Sequence, residues 1–149
     1  MIICLLLNNK KENKKLFIDV YTQWCGWCKK MDKTTFRNPI IIDYINQNYL
    51  PVKFDAEQKI PIEFLGKEYN FVKKGRRGYH ELAAALLQNK LSYPTVVFLD
   101  ENANMIQPLP GYRAAADFHP ILEYIGKGHY KNTEWTAYQK SYQAPAGLK

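Results

Sequence analysis

Leu16-Phe17-Ile18-Asp19-Val20-Tyr21-Thr22-Gln23-Trp24-Cys25-Gly26-Trp27-Cys28-Lys29-Lys30-Met31 changes character midway, and that change decides the fold. Residues 16–21 are apolar, β-branched or aromatic with one acid set among them, the pattern of a buried strand. Residues 22–31 read as a loop running into a helix. The cysteines therefore stand at the start of a helix that follows a strand. Cysteines three apart share a helix face, and the first lies where unpaired backbone N–H groups favour negative charge. A thiol there ionises below its free pKa of about 8.5. Thiol–disulfide exchange needs such an exposed thiolate and a second thiol to resolve the mixed disulfide. Lys29 and Lys30 push the same way if they lie near the sulfur. Cys25 is thus the expected nucleophile and Cys28 the expected resolving thiol.

A CxxC pair on its own is also half of a zinc site, but the other half is missing. The chain has three cysteines, and the third, Cys4, stands alone in the apolar start. His80, His119 and His129 are isolated from one another, whereas structural zinc wants four ligands in spaced pairs. No metal and no cofactor are expected, and the cysteine arithmetic points to redox work. Cys4 reads as an inert buried thiol.

Working outward, Asn38-Pro39 marks a helix start, since Asn caps well and Pro fits the first turn. Ile40, Ile41, Tyr44 and Ile45 give that helix an apolar face. Residues 49–55 read as a second strand, with Val52 and Phe54 on one face. From Glu57 to Arg77 the pattern is irregular, and its alternation around Leu65-Gly66-Lys67 suggests a hairpin or extended excursion. Gly78 to Gln88 reads as a short helix burying Leu82, Ala83, Leu86 and Leu87. Residues 95–99 form the most strand-like run, with residues 105–109 returning antiparallel after a turn. Asp117 to Ile125 is a helix burying Phe118, Ile121, Leu122 and Ile125. Trp135, Tyr138 and Tyr142 then fit a short docked helix. The order implies an α/β protein with helices on both faces of a mixed sheet.

A chain of 149 residues fits a single domain, expected to work as a monomer. Its 46% apolar and 23% charged residues are those of an ordinary globular protein. No apolar run reaches the roughly 18–20 residues of a membrane span. Met1 to Leu7 is too short for one and lacks the basic flank and cleavage site of a secretory signal. The net charge of +7 comes mainly from dispersed lysine. Without a nucleic-acid-binding module in the sequence, this reads as a solvated face, and no nucleic-acid partner is expected.

The segment from Leu16 to Met31 resembles the active-site segment of the thioredoxin superfamily. Its Trp-Cys-Gly-Trp-Cys-Lys form is similar to bacterial thioredoxin-like proteins, including those related to soluble domains of the disulfide-interchange system. Ser92-Tyr93-Pro94-Thr95 and Pro110-Gly111-Tyr112 match two further motifs in the right order, and the resemblance spans roughly residues 10–126 of the single domain 1–149. It implies a thioredoxin fold, a central mixed β-sheet flanked by helices. Residues 57–77 are an insertion before the helix that leads to Pro94, and 127–149 a C-terminal helical extension.

The resemblance also assigns roles. Asp19 stands where the family keeps a buried acid beneath the resolving cysteine, and a raised pKa would let it take the Cys28 proton. Pro94 is expected to be cis and to pack on the CxxC as part of the substrate groove. Trp24, Gly26, Trp27 and Tyr93 are the other substrate-binding candidates; Trp27 either widens the apolar surface or packs on its helix. The implied function is disulfide exchange with protein substrates, reset by a redox-recycling partner. Strong oxidants of the superfamily often carry His between the cysteines, and Gly26-Trp27 offers no cation, which leans toward a reductant or isomerase. The alternative is a non-catalytic binding module, a chaperone or adaptor. Lys73, Lys74, Arg76 and Arg77 either select acidic partners at the groove rim or form a solvated loop. Likeness to exported bacterial relatives implies the cell envelope, with the cytoplasm as the alternative. Little room precedes Lys14 for the family's first strand, so the fold begins late or upstream residues are missing.

Overall fold

The computed structural model describes residues 11–149, so Cys4 and the apolar start lie outside the described residues. In chain order it runs β1 (Lys15–Tyr21), α1 (Gly26–Lys33), α2 (Pro39–Asn48) and β2 (Tyr49–Asp55). Then come β3 (Ile62–Phe64), β4 (Lys67–Tyr69), β5 (Phe71–Lys74) and β6 (Arg77–His80). The chain closes with α3 (Glu81–Leu86), β7 (Thr95–Leu99), β8 (Met105–Pro110), α4 (Ala115–Gly126) and α5 (Trp135–Ser141). The central sheet has the order β2-β1-β7-β8. β1 pairs parallel with β2 and antiparallel with β7, and β8 returns antiparallel on β7. This is the mixed α/β sheet of a thioredoxin fold. Among the described residues, no helix is long and apolar enough to cross a membrane.

Alternation along β1 and β7 divides the core in two. Leu16, Ile18 and Val20 join Val97 and Leu99 against Leu82, Ala83, Leu86 and Leu87. Phe17 joins Val96 and Phe98 on the other face, against Met31, Ile41, Ile45, Phe118 and Leu122. Asp19, two residues from Phe17, therefore faces the side that carries α1, α2 and α4. α2 begins as its sequence dictates: the Asn38 side chain accepts from Ile40 N and Ile41 N, and Pro39 occupies the first turn.

The excursion between β2 and α3 contains the hairpin expected around Leu65-Gly66-Lys67 and corrects where the next helix begins. It is two hairpins, β3–β4 and β5–β6, and the second runs on to His80. The helix expected from Gly78 therefore begins only at Glu81. Residues 77–80 pair with β5 instead, and the strands approach so closely at Gly78 that a Cβ there would overlap the Val72 carbonyl and the Phe71 ring. α4 is also longer than expected, from Ala115 to Gly126, and its buried face includes His119 while Ile121 is only half-buried.

His80 is fully buried and fastens the excursion to the core. Its Nδ1 accepts from Leu82 N at 3.2 Å, capping α3, which leaves Nε2–H to donate to the Ile60 carbonyl at 3.0 Å. Its backbone N–H donates to Ala56 O at 2.7 Å, and Ala56 N donates to Tyr21 O at 2.8 Å, so both ends of the excursion meet at one point beside β1. His80→Ala removes a cap, a buried hydrogen bond and a packed ring. The expected loss of unfolding free energy is about 2–4 kcal/mol, read from urea denaturation. An unchanged midpoint would show that the hairpins are held by other contacts.

The tail docks on α4. Tyr138 is buried and donates from its hydroxyl to Glu123 Oε1 at 2.9 Å, while the Tyr142 hydroxyl lies 2.8 Å from His119 Nδ1.

Candidate active site

Cys25 and Cys28 are joined in a disulfide at the N-terminus of α1. Cys25 is the residue that caps the helix: Cys28 N–H donates to Cys25 Sγ at 3.1 Å. The same N–H and the helix dipole stand ready for a thiolate at that position. Lys30 and Lys33, in the last turn, complement the opposite end of the dipole.

The pair is more enclosed than the open thiolate that the chemistry suggests, with Cys25 5% and Cys28 4% exposed. Two tryptophans stand beside it in solvent, Trp24 at 50% and Trp27 at 57% exposure. Trp24 meets Tyr93 edge-on at 6.0 Å, and Trp27 tilts against Tyr112 at 5.4 Å. Lys30 holds its ammonium over Trp27 and Tyr112, at 4.8 and 5.2 Å from the ring centres. Trp27 thus both exposes an apolar face and packs on a neighbouring ring. A Cβ on Gly26 would meet nothing, so the surface is open at that position.

The Tyr93–Pro94 peptide is cis, and Pro94 is buried. Its carbonyl accepts from Gly111 N at 2.8 Å, where Gly111 takes a φ of 97° that only glycine adopts freely. Through Trp24–Tyr93, Trp27–Tyr112 and this bond, the three separate sequence motifs come together around one disulfide.

On the face of the sheet that carries α1 lies an ionic triad that is only partly readable in the sequence. Asp19 is 6% exposed, and Lys53 Nζ donates to its Oδ2 at 3.1 Å. The same ammonium donates to Asp32 Oδ1 at 2.7 Å and lies over the Tyr21 ring at 4.6 Å. Asp19 Oδ1 is buried with no hydrogen-bond partner among the described residues. Burial raises the Asp19 pKa, and the attraction of Lys53 offsets only part of that rise. Burial alone would lower Lys53, but its hydrogen bond to Asp32 and the charge of Asp19 leave it raised. A cleft of about 250 Å³, lined in part by Phe17, Asp19, Asp32 and Lys53, opens beside the carboxyl.

Sequence reasoning missed Lys53 and Asp32. A signal for Lys53 was present: between their end residues β1 and β2 each carry one interior charge, of opposite sign, and the parallel register sets Asp19 opposite Lys53. It also missed Glu57, whose Oε1 accepts from Trp24 Nε1 at 2.9 Å, and the position of Arg77, whose guanidinium lies 4.6 Å over the Trp24 ring. Among the described residues no cluster of three or more His, Cys, Asp or Glu could hold a metal ion.

Comparison with known proteins agrees with this fold. A family model described as a thioredoxin-like domain matches residues 6–126. Spermatogenesis-associated protein 20 of Rattus norvegicus is 35% identical over 54 residues, 36% of this chain and 7% of that protein. The matched segments amount to 7–10% of the length of the first curated relatives. Among solved structures, a thioredoxin-fold protein from Helicobacter pylori superposes with a TM-score of 0.66 at 23% identity, over 87% of this chain and 80% of that one. The C-terminal domain of DsbD from Neisseria meningitidis gives 0.52 at 18% identity, over 83% and 95%. At these identities the structural likeness speaks for the fold alone.

Proposed function

The chain belongs to the thioredoxin-like domain family, and on that premise we propose that it exchanges disulfides with protein substrates, working as a reductant or isomerase. Its fold and its closed CxxC pair are those of a thiol–disulfide oxidoreductase. The observation that carries the reading is Cys25 at the helix cap, with the Cys28 N–H on its sulfur.

The reaction balances without a cofactor. In the reduced protein the Cys25 thiolate attacks one sulfur of a substrate disulfide, forming a Cys25–substrate bond and releasing the other substrate sulfur as thiolate. Cys28 then gives its proton to Asp19 and attacks Cys25 Sγ, which closes the protein disulfide and frees the second substrate thiolate. The two substrate sulfurs are reduced and the two protein sulfurs oxidised; a dithiol partner resets the pair. Asp19 suits the proton step because burial keeps its pKa raised, and the cleft beside it gives the proton a way out. Trp24, Gly26, Trp27, Tyr93 and Pro94 bound the groove in which the substrate chain lies.

Direction follows from how the thiolate is held. A strong oxidant stabilises its reduced form with extra positive charge at the nucleophile. Here the residues between the cysteines are Gly26 and Trp27, and Lys30 is turned over two aromatic rings. The expected reduction potential therefore lies in the range from reductants to isomerases, about −270 to about −180 mV, rather than near a strong oxidant's value of about −120 mV. Equilibration against dithiothreitol or glutathione buffers, followed by tryptophan fluorescence, measures it. Without a reversible two-electron couple, the enzymatic reading fails and a binding module takes its place.

A further inference from the structure

We propose that the two hairpins of the excursion form a substrate-selecting rim, and that their cationic tip favours peptide disulfides carrying Asp or Glu close to the reacting cysteine. The proposal rests on the disulfide-exchange reading and adds the chemistry of the preferred substrate.

The first and last residues of the inserted segment 57–77 meet on one side chain, and that side chain is the neighbour of the nucleophile. Glu57 holds the edge of the Trp24 indole through its N–H, and Arg77 covers a face of the same ring. A substrate sulfur that reaches Cys25 along Trp24 thus passes within reach of the Arg77 guanidinium. Arg77 does not stand alone. It closes the β5–β6 turn, where residues 73–77 read Lys-Lys-Gly-Arg-Arg, four cations with no acid between them. All five residues are exposed.

The charge pattern works against the hairpin that bears it. In the register of β5 and β6, Lys74 lies directly opposite Arg77, and like charges opposite one another destabilise a strand pair. Intramolecular relief is slight. The ion pairs among the described residues use Lys14, Lys15, Lys53 and Lys127, and none of them uses Lys73, Lys74, Arg76 or Arg77. A carboxylate from outside would pair with the tip and displace Arg77 from the indole, an exchange of a weak cation–π contact for a charge-assisted hydrogen bond.

The opposite rim is acidic but already engaged. Glu57 accepts from Trp24, and Asp55 accepts from Gln23 Nε2 at 3.1 Å and from Glu57 N at 2.9 Å. The mouth of the groove is therefore two-signed, with carboxylates held by neutral donors on one side and the cationic tip on the other. A substrate acid is drawn to the Arg77 side, which orders the peptide across the disulfide as well as selecting it.

The test compares disulfide-linked peptides that differ only in having two Glu, two Ser or two Lys beside the cysteine. Stopped flow gives the second-order rate of their reduction by the reduced protein. The Glu peptide is expected to react about fivefold faster than the Ser peptide at low salt, with the advantage fading at high salt. In the double variant Lys74→Gln, Arg77→Gln the ratio is expected to fall to near one, and Arg77→Lys alone is expected to keep most of it. Because each ratio is taken within one protein, a smaller folded fraction in a variant cancels. Equal rates for the Glu and Lys peptides, or a preference that survives in the double variant, overturns the rim assignment while leaving disulfide exchange standing. Failure of all three peptides to react removes the exchange reading itself, and this inference with it.

Discussion

Cys25→Ser is expected to reduce insulin no faster than buffer, a fall of about a thousandfold or more, because a neutral hydroxyl replaces the only nucleophile that the helix cap is arranged to ionise. Cys28→Ser is expected to fail differently. Its Cys25 still attacks, no thiol follows, and the substrate stays attached. Mass spectrometry after mixing with oxidised insulin should then find a covalent adduct on Cys28→Ser and none on Cys25→Ser. The backbone N–H on Cys25 Sγ belongs to residue 28 whatever its side chain, so the serine variant keeps that anion contact. Should the adduct form on Cys25→Ser instead, the two cysteines have exchanged roles and the capping argument is wrong.

Asp19→Asn should divide rate from stability. Asparagine cannot take the Cys28 proton, so resolution of the mixed disulfide is expected to slow by about a hundredfold at neutral pH, while initial attack by Cys25 changes little. Single-turnover kinetics with a fluorescent disulfide separate the two steps. Stability should move the other way. The folded-state pKa of Asp19 is raised above 3.8, so the native state holds its proton to higher pH than the unfolded chain does. Wild-type stability from this group is full below 3.8 and is lost as pH climbs through the folded-state value. Asn, which never ionises, escapes that loss. Its urea midpoint should exceed that of the wild type at pH 7–8 and converge on it in acid. A lower midpoint at neutral pH would mean that the bond from Lys53 outweighs the cost of the buried charge.

Much of this was legible in sixteen residues. A strand with one acid inside it, then a CxxC opening a helix, set both the central sheet and the reactive pair. Asn38-Pro39 and the run Thr95–Leu99 behaved as local chemistry dictates, since capping and β-branched packing are decided within a few residues. What stayed hidden depended on contacts between distant segments. Gly78 looked like the start of a helix because nothing nearby in sequence says that Val72 will crowd it. Arg77 looked like one cation in a run, and its place over Trp24 depends on how two hairpins fold back toward β1. Lys53 lay between: the opposite charges at matching places in two apolar strands were readable, but only given the parallel register. Asp32 gave no sign at all beyond its position on α1.

The hydrogen bonds that join His80 to Ala56 and Ala56 to Tyr21 have a wider implication. They close the excursion at its neck, so the scaffold experiences residues 57–79 as a loop whose two ends are already pinned. Lengthening or replacing such a loop costs little in chain entropy. The neck therefore makes the hairpins a cartridge that can be exchanged so long as Phe64, its contribution to the core on β1 and β7, is kept. A lineage, or a protein engineer, can rewrite what stands over the disulfide without disturbing the sheet that holds it.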